Sequence, residues 1–114
     1  MDNPFPQDDS LDEAGTSFSK HDSNKPMISL VEPKFIIGIA EVLTFGARKY
    51  AIDNWKKATT ADIRRIKDSL LRHTLAYTSG ELLDSETHLS HAYHISCNVM
   101  FLNYLLERVA KDTK

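Results

Sequence analysis

The chain has 114 residues and a formal net charge of −2, with 14 basic and 16 acidic side chains, and 41% of its residues are hydrophobic. This length predicts one small domain, and the charge disfavours a strongly basic, sequence-independent nucleic-acid binder. A single cysteine, Cys97, excludes an internal disulfide framework, and no apolar run reaches the roughly 20 residues of a membrane span. We therefore expect a cytoplasmic protein that contacts neither membranes nor nucleic acid directly.

Residues 1–24 are predicted to form a flexible acidic tail. They carry six acidic residues against one lysine, and they are rich in Ser, Asp, Asn and Pro with little to bury. The remaining residues, 25–114, are predicted to form the folded domain and carry a net charge of +3. A domain of about 90 residues has a modest core, so we expect marginal stability for an isolated monomer.

The first predicted helix runs from Pro33 to about Phe45. Pro33 suits a first helical turn, and Gly46 is predicted to stop the helix. The segment is apolar on nearly every side, which is typical of a helix buried by other helices or by a second subunit. Glu41 lies on its one polar face, either as a functional carboxylate or simply as part of a solvated strip.

Aromatic and basic residues crowd the connection that follows this helix. The candidates there for binding a nucleotide are Arg48, Lys49, Tyr50, Asn54 and Trp55. Such a mixture can hold phosphates while a base stacks on an aromatic ring. A surface loop fixed by Trp55 packing on the core, with solvated lysines, explains the composition equally well.

The second helix is predicted to open at Thr59, where Thr59 and Asp62 resemble a capping box, and to end at Gly80. Apolar and small residues mark one face at helical spacing: Ile63, Ile66, Leu70, Leu71, Thr74 and Tyr77. His73 lies at the edge of this face, and a lone histidine beside a core is typically structural.

The third helix is predicted from about Thr87 to Val109. On a helical wheel, His91, His94 and Asn98 share the core-facing stripe with apolar residues farther along, while Tyr93 falls on the opposite face. Burying three polar side chains without partners would cost on the order of 1–3 kcal/mol each. They therefore need hydrogen bonds, a metal or a ligand, and helix bundles build internal sites in this way. A purely structural polar network remains the alternative.

Three carboxylates precede the third helix: Glu81, Asp84 and Glu86. Their oxygen atoms suit Mg²⁺ or Mn²⁺, and nearby imidazoles shift the preference toward Mn²⁺ or another transition metal. The same residues also suit helix capping and turns. The pattern as a whole predicts an all-α fold, a small bundle of three main helices completed by a second copy of the chain.

An ordered set of motifs resembles phage-type dATP/dGTP diphosphohydrolase-like proteins, grouped with the MazG-like all-α nucleotide pyrophosphohydrolases. The motifs are Lys25-Pro26-Met27, Ala40-Glu41-Val42-Leu43-Thr44-Phe45-Gly46-Ala47-Arg48-Lys49-Tyr50, Asn54-Trp55, Arg72-His73, Gly80-Glu81, Asp84-x-Glu86 and His91-x-x-His94-x-x-x-Asn98. The resemblance covers residues 25–106. It implies a homo-oligomer that cleaves a purine nucleoside triphosphate to monophosphate and pyrophosphate with Mg²⁺, or with Mn²⁺. For a phage-encoded protein, the location it implies is the host cytoplasm.

The resemblance also assigns expected roles. Metal binding falls to Glu41, Glu81, Asp84, Glu86 and His91; catalysis to His73, Glu81 and His94; substrate binding to Arg48, Lys49, Tyr50, Asn54, Trp55, Arg72 and Asn98. MazG-like enzymes carry E-x-x-E and E-x-x-D on neighbouring core helices, whereas this chain has Arg72-His73 and His91-x-x-His94 there. Two alternatives follow: a nucleotide-binding or sequestering protein without turnover, and a small helical interaction protein.

Overall fold

The computed structural model describes residues 18–21 and 23–112, and within them the chain forms three α-helices. These are α1 (Pro33–Lys49), α2 (Ile63–Thr78) and α3 (His91–Asp112), with short 3₁₀ turns at Ile28–Leu30, Asn54–Lys57 and Thr60–Asp62. The described residues contain no β-strand, only an isolated bridge between Leu83 and Ser90. The all-α prediction is confirmed. Most of the predicted acidic tail lies outside the described residues.

No helix of the described residues is both long enough and apolar enough to cross a membrane.

α1 begins at Pro33 as predicted, and the Glu32 side chain accepts a hydrogen bond from the Lys34 N–H at its start. The predicted stop at Gly46 is wrong. The helix continues to Lys49, and the Tyr50 N–H donates to the Gly46 carbonyl oxygen. Glycine ends a helix when it adopts a left-handed conformation, and Gly46 does not.

The predicted start of the second helix at Thr59 is four residues early, because Thr60–Asp62 form a 3₁₀ turn and α2 begins at Ile63. The predicted capping box is present at that turn, where Thr59 and Asp62 bond each other's backbone N–H groups. Beyond the last residue of α2, Gly80 has φ +99°, the left-handed conformation that stops a helix. The predicted apolar face is too wide. Leu71 and Tyr77 are exposed, since α3 covers only a narrower strip of α2.

α3 packs against both other helices and forms the centre of the fold. It starts at His91, four residues later than predicted, because residues 81–90 form a loop closed by the His91 N–H donating to the Leu82 carbonyl oxygen (2.9 Å). It also runs past Val109 to Asp112. Tyr93, predicted to lie away from the core, packs edge-on against Phe35 of α1 at 5.2 Å. The helical-wheel prediction assumed that α3 buries one face, whereas α3 packs against two helices and buries two faces.

The apolar core of the described chain is small. Its only fully buried apolar side chains are Cys97 and Leu105. Large apolar side chains remain exposed on every helix, among them Ile36, Ile37, Leu71, Leu75, Val99 and Leu106. This exposure is what a protomer of a larger assembly shows, and assembly with a second copy stays a prediction.

Candidate functional site

A polar cavity of about 630 Å³ lies where the three helices meet the loop 79–90. α1 contributes Lys49, α2 contributes Arg72, and the loop and α3 contribute carboxylates and imidazoles. The polar and charged lining residues are Lys49, Tyr50, Ser69, Arg72, His73, Asp84, Glu86, Thr87, His91 and His94. Most of the residues singled out in the sequence therefore face one space.

Three histidines, His73, His91 and His94, form a cluster at this cavity. The Nδ1 atoms of His73 and His91 are 2.8 Å apart, so one of them donates a proton to the other. The rings of His73 and His94 stack with centroids 4.4 Å apart and planes 4° from parallel. His73 is thus not a lone structural histidine. Its partners come from another helix, and spacing along α2 alone carries no signal of them.

Glu81 orients His91 within this histidine cluster. Its Oε2 atom lies 2.6 Å from His91 Nε2, at hydrogen-bond distance, and the His91 side chain is 4% exposed. An ionised carboxylate only accepts hydrogen bonds, so Nε2 carries the proton that it receives. In neutral His91 the lone pair is then on Nδ1, the atom that faces His73.

Asp84 is held by its own loop. Its Oδ2 accepts hydrogen bonds from the backbone N–H groups of Glu86 (3.0 Å) and Thr87 (2.9 Å), while its Oδ1 lies 3.8 Å from His73 Nδ1. Burial opposes ionisation of this carboxyl, but the hydrogen bonds from Thr87 and Glu86, together with the attraction of His94, bring its pKa below the ordinary value. An ionised carboxylate oxygen therefore faces the histidine cluster.

Burial lowers the pKa of both His73 and His94, and the charge of neighbouring histidines lowers each further. Both imidazoles are therefore neutral near pH 7. His94 Nε2 is 2.7 Å from the Thr87 hydroxyl, which also lies 3.2 Å from Asp84 Oδ2. Neutral imidazoles offer a lone pair to a proton or to a metal ion.

Asn98 is buried, as the helical wheel predicts, and its amide is occupied by protein groups. Nδ2 donates to the His94 carbonyl oxygen (2.9 Å) and to the Ser69 hydroxyl (3.3 Å). The contact with Ser69 ties α3 to α2. The structure therefore shows Asn98 supporting the cavity wall, while its predicted role in substrate binding stays untested.

A second, apolar cavity of about 430 Å³ adjoins the polar one. The two share four lining residues: Val42, Gly46, Tyr50 and Phe101. Asn54 and Trp55 line the apolar cavity but not the polar one. Trp55 stacks on Phe101 with centroids 5.0 Å apart, so the connection is fixed to α3, as the packing interpretation of this segment proposes.

The predicted ligands and cations do not all reach the cavities. Arg48 and Glu41 are exposed on α1 and line neither one. Glu86 lines the polar cavity but pairs with Lys49 at 3.4 Å. Of the predicted metal ligands, Asp84 and His91 come together, and His73 joins them.

The sequence pattern of the family described as "dATP/dGTP diphosphohydrolase, N-terminal" matches residues 16–114. The chain belongs to this family. The resemblance read from the sequence motifs is thereby confirmed, and the matched range contains every residue of both cavities.

One relative within this family is the dATP/dGTP diphosphohydrolase of Salmonella phage PMBT28. It is 37% identical over 87 residues, which cover 76% of this chain and 29% of the relative. The chain therefore spans less than a third of that relative's length. No solved structure matches the chain.

Proposed function

We propose that this member of the dATP/dGTP diphosphohydrolase family cleaves a purine deoxynucleoside triphosphate to the monophosphate and pyrophosphate. The observation that carries the proposal is the junction of a charged, histidine-bearing cavity with an apolar one. A nucleotide has the same two-part character, because its triphosphate is anionic and its base is flat and largely apolar. The name of the phage relative supports this substrate class.

The triphosphate occupies the polar cavity in this proposal. Lys49 and Arg72 line it and supply positive charge for the phosphates. Interaction with Glu86 raises the pKa of Lys49, so this ammonium stays charged. Since Lys49 pairs with an exposed carboxylate, a phosphate can replace Glu86 as its partner at little cost.

The base occupies the apolar cavity. Its volume of about 430 Å³ lies within the range of roughly 300–1,000 Å³ that is typical of small-molecule sites. Tyr50 is 65% exposed and borders both cavities, so its ring can cover the base where the two cavities meet. Trp55 stacks on Phe101 and therefore closes the cavity from one side.

A neutral imidazole of the histidine cluster acts as the general base of the reaction. In this proposal His94 accepts a proton from water, the water oxygen bonds to the α-phosphorus, and the bond to pyrophosphate breaks. A divalent cation, when bound, neutralises phosphate charge and polarises a phosphate oxygen. His73 and Glu81 orient the imidazoles through their stacking and hydrogen-bonding contacts.

The eight common ribo- and deoxyribonucleoside triphosphates, each with Mg²⁺ or Mn²⁺, form the test panel. Pyrophosphate release measures hydrolysis and a thermal shift measures binding, and we expect both to be strongest with dATP or dGTP. Arg72→Gln should weaken nucleotide binding, whereas the matched control Arg64→Gln should not. Arg64 is exposed on the same helix, about 12 Å away along its axis, and lines neither cavity.

Nucleotide binding without turnover is the second candidate function. The family description names an N-terminal region, and the chain spans 29% of its phage relative, so the relative has a large further segment. Thermal stabilisation by a purine nucleotide without pyrophosphate release would favour this candidate. No response to any nucleotide would refute both and leave a helical interaction protein.

A further inference from the structure

Three donor residues from three different elements meet at one end of the polar cavity. His73 of α2, Asp84 of the loop and His91 of α3 each offer one ligand atom, and these atoms lie within 4.8 Å of one another. We propose that these three side chains bind a divalent transition-metal ion of the Mn²⁺, Co²⁺ and Zn²⁺ class, in preference to Mg²⁺. The site lies in the cavity of the proposed hydrolysis and rests on that proposal for its role, but ion binding is measurable without nucleotide.

Each of the three donors is held in place by a second contact. Glu81 accepts a hydrogen bond from His91 Nε2, and the Nδ1 lone pair of His91 therefore faces His73. Metal-ligating histidines usually donate their other N–H to a carboxylate in this way. The loop N–H groups occupy Asp84 Oδ2 and leave Oδ1 facing the histidine cluster, and His94 stacks flat on His73. Such orientation of every donor is expected of a ligand site.

The spacing of the donors suits a metal ion. Bonds of about 2.1 Å place two ligand nitrogens about 3.0 Å apart at the right angles of octahedral coordination and about 3.4 Å apart at tetrahedral angles. The Nδ1 atoms of His73 and His91 are 2.8 Å apart, and Asp84 Oδ1 is 3.8 Å from His73 Nδ1. Without an ion, a proton joins the two nitrogens. On binding, His73 moves that proton to Nε2, and both Nδ1 lone pairs become ligands.

The chemistry of the donors decides the class of ion. Mg²⁺ prefers oxygen ligands and water, whereas imidazole suits Mn²⁺, Co²⁺, Zn²⁺ and related ions. Two imidazoles and one carboxylate therefore fit Mg²⁺ poorly, although Mg²⁺ is the ion that the family resemblance implies.

The test uses the full chain without a histidine tag, treated with chelator and then dialysed against Mg²⁺, Mn²⁺, Co²⁺ or Zn²⁺ without nucleotide. We expect one ion per chain, with affinity rising from Mn²⁺ through Co²⁺, and with Zn²⁺ bound about 100-fold or more tighter than Mg²⁺. Asp84→Asn should remove most of this affinity. Its amide oxygen can keep the loop N–H contacts while the facing atom becomes an NH₂ donor. If the Asp84→Asn protein is unfolded without metal, the His73→Gln variant is used for the same measurement.

Glu86→Gln is the matched control, since it removes the same charge from the same loop and Glu86 pairs with Lys49 instead. It should leave ion affinity nearly unchanged, whereas Glu81→Gln should lower it about 10- to 100-fold.

Equal affinity for Mg²⁺ and Zn²⁺, no bound ion, or equal losses of affinity in Glu86→Gln and Asp84→Asn would overturn the site. An ion bound as expected without any hydrolysis would keep the site and refute the proposed reaction. Hydrolysis with Mg²⁺ in a protein that binds no transition-metal ion would refute the metal site and keep the proposed reaction.

Discussion

The two glycines within α1 are expected to respond in opposite ways to replacement by alanine. Gly38 is buried, and a Cβ built on it would overlap the ring of Tyr93, whereas a Cβ on Gly46 meets nothing within 4 Å. Alanine is favoured over glycine inside a helix by roughly 0.8–1.0 kcal/mol. Gly46→Ala should therefore raise the free energy of unfolding by about 1 kcal/mol.

At Gly38 the same gain in helix propensity is outweighed. Overpacking costs about 1–3 kcal/mol, and moving Tyr93 also disturbs its edge-on contact with Phe35, which contributes about 0.5–1.5 kcal/mol. Subtracting the propensity gain leaves a net loss of about 1–3 kcal/mol for Gly38→Ala. The difference between the two variants should thus reach about 2–4 kcal/mol.

Urea denaturation followed by circular dichroism measures both variants under identical conditions. Tyr93→Leu provides the control, because removing the ring should make Gly38→Ala much less harmful in that background. Equal stability of Gly38→Ala and Gly46→Ala would refute the close approach of α1 and α3. So would an unchanged effect of Gly38→Ala in the Tyr93→Leu protein.

Changes at the histidine cluster, at Cys97 and on α1 have separate expected outcomes. His94→Leu leaves the Thr87 hydroxyl bonded to Asp84, so the free energy of unfolding should change by about 1 kcal/mol or less while nucleotide binding or hydrolysis falls strongly. In metal-free protein, stability should fall as the pH drops below the ordinary histidine pKa of 6.5, because His73 and His94 have lower pKa values when folded and take up protons on unfolding. Urea titrations that give the same free energy at pH 7 and pH 5 would contradict this. Burial raises the pKa of the Cys97 thiol to about 11, so Ellman's reagent at pH 8 should react only after unfolding. Light scattering should show a homo-oligomer, and Ile37→Asp should cause aggregation or unfolding; a stable wild-type monomer at micromolar concentration would refute that proposal.

Local sequence signals predicted the helices well where one residue type decides the backbone. Pro33 marks the start of α1, and the Thr59 capping box marks the 3₁₀ turn that leads into α2, because each acts within a single turn. Glycine is ambiguous by comparison. Gly80 adopts a positive φ and stops α2, whereas Gly46 does not and α1 continues to Lys49, because glycine permits both conformations.

The candidate site was only partly predictable for a similar reason. Periodicity places His91 and His94 on one face of α3 and shows that they need partners. It carries no information on which turn of α2 lies opposite, so the sequence does not predict a partner for His73. The 2.8 Å approach of His73 to His91 depends on how two helices align, and the residues between them in the sequence do not encode this locally.

The loop turn at Asp84 has an evolutionary consequence. One carboxylate both closes the turn, through Oδ2, and presents Oδ1 to the histidine cluster. An insertion or deletion between residues 81 and 90 would therefore displace a donor as well as reshape a loop. Related chains should therefore keep the length of this loop constant.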